Sequence, residues 1–208
     1  MSDVTIRSAV EGDAAAIAAI HTASWRDAYA GILAAEFLNG DIETNRLGLW
    51  SRRLGERPPS QLVDVACDPT GAMMAFACSF READARWGSL VDNLHVSPRF
   101  RGQGVGEKLL QNMVAQLAAS GSASGLHLWV FEANAAALRF YERLGGRVVE
   151  KTTSEIPAAG GKAVLRVHWP TLSDFVWTPK LAPREACLRD GSFKKAPAIR
   201  PPGEDHLR

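Results

Sequence analysis

The segment Leu94-His95-Val96-Ser97-Pro98-Arg99-Phe100-Arg101-Gly102-Gln103-Gly104-Val105-Gly106 decides how the whole chain is read. Its first residues end a strand over 89–96. Its middle is a turn rich in Gly and Pro. Its last residues open a helix over 104–119, where Val105, Leu109, Met113, Gln116 and Leu117 recur every three to four residues. Strand, turn and helix start in that order expose a helix N-terminus, whose free amides and positive dipole end favour phosphate. Glycines let that backbone approach a diphosphate without a side-chain clash. Other phosphate loops fit less well. A P-loop needs Gly-Lys-Ser/Thr, and a dinucleotide fingerprint needs a third glycine where Glu107 stands.

Outward from this segment the chain alternates strand and helix signals. Upstream come a strand over 4–8 and a helix over 14–29, with Asp13 as its expected cap and Ile17, Ile20 and Ala28 on one side. A second helix follows, read from Leu47, Trp50 and Leu54, and Pro58-Pro59 ends it. Strands over 62–67 and 72–80 flank Asp68-Pro69-Thr70-Gly71, a tight reversal. Downstream lie a loop over 120–125, a strand over 126–131, and a helix over 135–144 stopped by Gly145-Gly146. Strands over 147–156 and 163–169 close the series. The order of elements is that of an α/β (α+β) domain over 1–169.

Residues 170–208 differ: they hold six of the chain's 11 prolines, so an irregular extension is expected. Phe175, Val176 and Trp177 interrupt it. They can dock on the domain or on a second subunit, which leaves a homodimer open. Lys194-Lys195 is too short a basic run for nucleic acid.

The bulk values narrow the class. A chain of 208 residues that is 46% hydrophobic and 23% charged suits one domain with its own core plus an appendage. A net charge of +1 gives no basic excess for a nucleic-acid backbone. Cys67, Cys78 and Cys187 form no CxxC pair, so neither a disulfide scaffold nor a metal site is expected. The first residues lack a signal pattern, and no apolar run is long enough to span a bilayer. A soluble cytoplasmic protein without membrane partners is the expectation.

The 94–106 segment resembles motif A of the GCN5-related N-acetyltransferase (GNAT) family, which has Arg/Gln-x-x-Gly-x-Gly/Ala after a strand; Arg101, Gly104 and Gly106 match it. Asn134-Ala135-Ala136-Ala137-Leu138-Arg139-Phe140-Tyr141-Glu142-Arg143-Leu144-Gly145 resembles motif B of the same family. The resemblance covers about 4–169. It implies a mixed, mostly antiparallel sheet of about seven strands flanked by helices, and acetyl-CoA as acyl donor. By the same resemblance, Leu94, His95 and Val96 pair with the pantetheine arm. The turn of Arg101, Gly102, Gln103, Gly104, Val105 and Gly106 holds the pyrophosphate. Asn134 touches the donor, and Tyr141 sits beside the thioester sulfur.

Acetyl transfer to an amine sets two proton problems. An ammonium with a reference pKa near 10.4 must be neutralised, which costs roughly 4–5 kcal/mol near neutral pH. The departing thiolate must also be protonated. Positioned acids and bases serve both needs. Tyr141 is the candidate acid. Asp92, two residues before Leu94, is the candidate base through a water; the family often carries Glu there, and this chain has the shorter Asp. His95 is a further residue able to titrate. A backbone amide near Val96 would polarise the thioester carbonyl.

His21, Trp25 and Tyr29 make one stripe on the first helix. Trp25-x-x-x-Tyr29-x-Gly31, with a later Trp50, resembles the branch of the family that includes polyamine acetyltransferases. The resemblance makes Trp25 and Tyr29 walls for a small-molecule or peptide amine, through cation–π attraction. Rival readings are a CoA-binding sensor module without turnover, a transferase of longer acyl groups, and a nucleotide-binding protein.

Overall fold

The computed structural model describes residues 4–121 and 125–177. The rest of the Pro-rich extension, with Lys194-Lys195 and Cys187, lies outside the described residues. Among the described residues seven strands form one sheet: β1 (Thr5–Ser8), β2 (Gln61–Cys67), β3 (Met73–Asp84), β4 (Gly88–Val96), β5 (Leu126–Phe131), β6 (Arg147–Thr153) and β7 (Ala163–Trp169). Their order is β1-β2-β3-β4-β5-β7-β6. Every pairing is antiparallel except β4 with β5. The expected sheet is therefore present, and its one parallel pair lies at its centre.

Among the described residues five helices accompany it: α1 (Ala14–Ala28), α2 (Ala35–Asn39), α3 (Ile42–Glu56), α4 (Val105–Ala119) and α5 (Ala135–Arg143). Pleating sends alternate residues of β2 and β3 to opposite faces. Val63, Val65, Cys67, Phe76 and Cys78 pack with Ile17, Trp50 and Leu54 of α1 and α3. Ala66, Ala75 and Ala77 pack with Leu109, Met113 and Leu117 of α4. Alanines on the second face let α4 lie close to the sheet.

Three expectations need correction. Asp13 does not cap α1; its carboxylate turns back to accept from the Val10 amide at 2.7 Å and is gripped by both terminal nitrogens of Arg7. Leu47 is 40% exposed, because the buried face of α3 runs through Ile42, Trp50 and Leu54 instead. The five-residue α2 was not foreseen; it is too short to show a period.

Packing continues past Trp169. Phe175 is buried, and its ring stacks between Trp169 (4.5 Å) and Trp177 (4.9 Å). The Trp169 indole N–H donates to the Leu144 carbonyl at 2.9 Å, and the Val176 amide donates to the same oxygen at 3.1 Å. Leu144 is the C-cap of α5, so this aromatic strap holds the end of that helix. Among the options left open by the sequence, Phe175 docks on its own domain.

Candidate active site

The parallel pair is short. β4 and β5 match only at Ser89–Leu126, Leu90–His127 and Val91–Leu128. Beyond Val91, β4 continues on β3 through Asn93, Leu94, His95 and Val96, while β5 continues on β7 from Trp129 to Phe131. The strands diverge, and their facing edges have no strand partner among the described residues. A bulge marks the point of divergence. Ser79 faces Val91 and Cys78 faces Asn93, which leaves Asp92 as the extra residue.

Into this opening projects the turn between β4 and α4. Gly102 (φ +73°) and Gly104 (φ +76°) both adopt the left-handed conformation that disfavours side chains, with open space where a Cβ would be. Gly104 caps α4 with no side-chain bond, so the first-turn amides are free for a ligand. Gly106 is a case of close approach: a Cβ there would stand 3.3 Å from Val96 Cγ2. A cavity of about 740 Å³ runs along the opening. Leu94, His95 and Val96 line one side, and Arg101, Gly102, Gly104, Val105 and Gly106 line the end. Trp129, Val130, Asn134, Phe140 and Tyr141 line the other side, and Ser24, Asp27 and Tyr29 of the α1 region complete it. Gln103 lies off the lining and donates to the Arg99 carbonyl at 3.3 Å. A diphosphate at the glycine turn and an extended amide-bearing arm along β4 fit these features.

Asn134 caps α5, accepting from the Ala137 amide at 3.2 Å through its carbonyl oxygen. Its side-chain N–H groups are not used in that bond. About two turns of α5 beyond stands Tyr141, whose phenol burial pushes well above its usual range. It therefore holds its proton throughout neutral pH. Tyr29 is likewise pushed up to about 12 by burial, and its ring meets Phe131 at 5.2 Å.

Asp92 does not line the cavity. Its carboxylate accepts from Arg53 of α3 at 2.5 Å and from the Asn93 side-chain amide. Trp25 does not line it either; it is 9% exposed and belongs to a core cluster with Ile32, Leu33, Leu38 and Ile42. Its ring face is occupied by the Arg46 guanidinium, 4.7 Å from the centroid. Of the two residues expected to wall an amine, Tyr29 lines the cavity and Trp25 does not.

His95 lines the cavity and shares a 3.0 Å hydrogen bond with the Ser24 hydroxyl. Burial, aided by the charges of Arg101 and Arg46, brings its imidazole down to about 3. Behind it lies His21, with ring centroids 4.6 Å apart; its Nδ1 accepts from the Trp50 indole N–H at 3.0 Å. The glycine turn and α1 are tied by an ion pair between Arg101 and Asp27. Neither Arg46 nor Arg53 was singled out by sequence reading. Their spacing around Trp50 (i, i+4, i+7) was the available signal. Cys67 and Cys78 are buried among α1, α3 and the sheet, and burial pushes Cys78 up to about 12. No helix among the described residues is long and apolar enough to cross a membrane.

Comparison with known proteins agrees with this geometry. Residues 17–146 match the family model described as Acetyltransferase (GNAT) family. Thialysine N-epsilon-acetyltransferase of Sus scrofa is 25% identical over 155 residues, which cover 71% of this chain and 86% of that protein. The PaiA N-acetyltransferase from Thermoplasma acidophilum in complex with coenzyme A superposes with a TM-score of 0.62 at 19% identity, covering 80% of this chain and 99% of that one. A GCN5-related N-acetyltransferase from Rhodopseudomonas palustris gives a TM-score of 0.62 at 25% identity, covering 80% and 95%. At 19% identity the likeness speaks for the fold alone.

Proposed function

The chain belongs to the GNAT family of acetyltransferases, and from that premise we propose that it moves an acetyl group from acetyl-CoA to a primary amine of a small molecule or peptide, in a ternary complex without an acyl-enzyme. The observation that carries this is the divergence of β4 and β5. It opens one cavity that joins the glycine turn to Tyr141 and Asn134. The Sus scrofa relative is named for acetylating an ε-nitrogen, which supports an amine acceptor here. The coenzyme A complex of the Thermoplasma acidophilum structure supports the donor.

Each residue then has a task. Free amides at the start of α4, with Arg101, neutralise the diphosphate. The unpaired edge of β4 from Leu94 to Val96 bonds the amide-bearing arm, and its amide near Val96 polarises the thioester carbonyl. Asn134 orients the arm from the other side. The amine's N–C bond forms as the C–S bond breaks. The amine proton leaves through water to Asp92, which does not itself reach the cavity and so needs that relay. Tyr141 gives its phenolic proton to the sulfur and regains one from solvent. His95, whose imidazole burial brings down to about 3, is neutral near pH 7 and serves as a wall that does not compete for the proton. Cys78, with its thiol held protonated by burial, is unsuited to carry an acyl group.

The test is thiol release from acetyl-CoA across an amine panel, with Tyr141→Phe as the variant. We expect kcat to fall about 100-fold or more, in the range of acid–base contributions, and acetyl-CoA affinity to change by less than about threefold. An unchanged kcat would remove the acid role. Binding of acetyl-CoA without turnover on any amine would favour a non-catalytic module.

A further inference from the structure

At the fork of the sheet Val91 of β4 faces Leu128 of β5, and both pack on the α4 side. Trp129 is the next residue of β5, so pleating turns it to the opposite face. Phe131 shares that face two residues on, and its ring meets Tyr29 of the α1 region at 5.2 Å. Trp129 lines the cavity and is 37% exposed, whereas every other residue of β5 is buried. The indole is held from behind. The Arg166 guanidinium of β7 lies 4.2 Å from its centroid and 5.2 Å from that of Trp87, in the turn between β3 and β4. Trp87 in turn carries Arg86 at 4.3 Å and meets His168 edge-on at 4.9 Å. Arg166 Nε donates to Glu150 of β6 at 2.7 Å, and its side chain is largely buried.

A ring already fixed on one face loses little freedom when a second flat group covers the other. The charges around it are answered. Asp27 and Glu107, which line the cavity, pair with Arg101 and Arg143, while Asp92 pairs with Arg53 and Glu150 with Arg166. Each of these carboxylates thus already holds an arginine. With a cation on one face, the indole has less attraction left for a second cation on the other. The reacting nitrogen must reach the thioester, so the remainder of the acceptor is what meets Trp129. A neutral flat group suits that surface, because paired rings gain from buried area and from ring electrostatics together.

Resting on the transferase reading above, we propose that Trp129 is the acceptor platform and that the acceptor is an arylalkylamine, a primary amine joined by a short spacer to an aromatic ring that stacks on Trp129. A polyamine would bring a second ammonium to a site whose carboxylates are taken.

Three acceptors test this: phenethylamine, 2-cyclohexylethylamine of the same size without the flat ring, and 1,4-diaminobutane. Each is assayed by thiol release, and calorimetry follows acetyl-CoA binding. In kcat/KM, wild type should favour phenethylamine about fivefold over the cyclohexyl amine and about tenfold or more over the diamine. 2-Phenylethanol, which keeps the ring and lacks the amine, should compete with phenethylamine better than 2-cyclohexylethanol does. Trp129→Leu should cut the preference over the cyclohexyl amine to under about twofold, chiefly through a higher KM for phenethylamine, and Trp129→Phe should keep most of it. A preference that survives Trp129→Leu overturns the platform. If the leucine variant no longer binds acetyl-CoA, the competition with wild type decides, and 2-phenylethanol that does not compete overturns the platform by itself. A wild type that acetylates the cyclohexyl amine or the diamine as readily as phenethylamine also overturns it, and leaves the transferase reading standing. So does one that binds acetyl-CoA and acetylates other primary amines but none of these three. A wild type that fails to bind acetyl-CoA overturns the transferase reading and this one with it.

Discussion

The two ends of the cavity are built in opposite ways. The end proposed for the donor is backbone: a turn of glycines, the first amides of α4, and the free edge of β4. The side proposed for the acceptor is side chain: Ser24 and Tyr29 from the α1 region and His95 from β4 line it, with His21 of α1, Trp50 of α3 and Phe76 of β3 packed behind. A backbone site recognises what every acyl-CoA shares, and it tolerates little change in its own residues. A side-chain site can be rewritten one residue at a time. The contrast explains how one fold can keep its donor while its acceptor varies.

The sharpest way to break the contrast is at the donor turn. Gly104→Val forces a β-branched residue into a left-handed backbone and fills the space a diphosphate would cross. We expect acetyl-CoA affinity to fall about 100-fold by calorimetry, with stability lower by about 1–2 kcal/mol. Near-normal affinity would mean that the backbone does not hold the donor.

Of middle size is a pH effect on the acceptor side. His21 is almost fully buried, and burial is the main cause holding its imidazole far below the usual range; His95 is brought down to about 3. Unfolded, both would titrate near 6.5. Between about 3 and 6.5 the unfolded chain thus binds protons that the folded chain refuses, so stability falls as pH drops through that window. The slope approaches ~1.4 kcal/mol per pH unit for each such histidine. Urea midpoints at pH 7.5, 6.5 and 5.5 should show the decline begin only below about 6.5, and His21→Gln should make it shallower. A flat profile would remove the buried network from the ledger of stability.

The smallest effect is expected where the ends meet. Arg101 and Asp27 join the glycine turn to α1 across an exposed ion pair. Such pairs contribute about 0–1 kcal/mol. Asp27→Asn should leave the melting temperature within about two degrees, and should tighten acetyl-CoA slightly by releasing Arg101 to the diphosphate. A loss of affinity would mean that Asp27 instead positions Arg101.

The same contrast explains what could be read in advance. Gly102, Gly104 and Asn134 to Tyr141 belong to contiguous stretches whose spacing is fixed by one turn and one helix, so it was legible that they face one opening. The α4 row of Leu109, Met113 and Leu117 followed from a simple period, while the mixed seven-stranded sheet was implied by the family resemblance and its strand order was seen only in the structure. The acceptor end joins residues 21 to 95 from four elements, and no local period links them. Trp25 looked like a wall because its stripe on α1 is real, yet the stripe says nothing of which ring α3 and α2 will cover. Arg46 and Arg53 passed unnoticed because a charged residue on a helix is normally solvated. The bulge at Asp92 depends on a register shift against β3, which a single strand cannot announce.

The aromatic strap after Trp169 has a practical consequence for anyone shortening this protein. A cut drawn at the last strand would keep every site residue and the whole sheet. It would also remove Phe175 and Trp177, and with Val176 one of the two N–H groups that donate to the Leu144 carbonyl. Fragments meant for crystallisation or for fusion to another domain should therefore run through Trp177, or the helix that carries Tyr141 will be left with a loose heel.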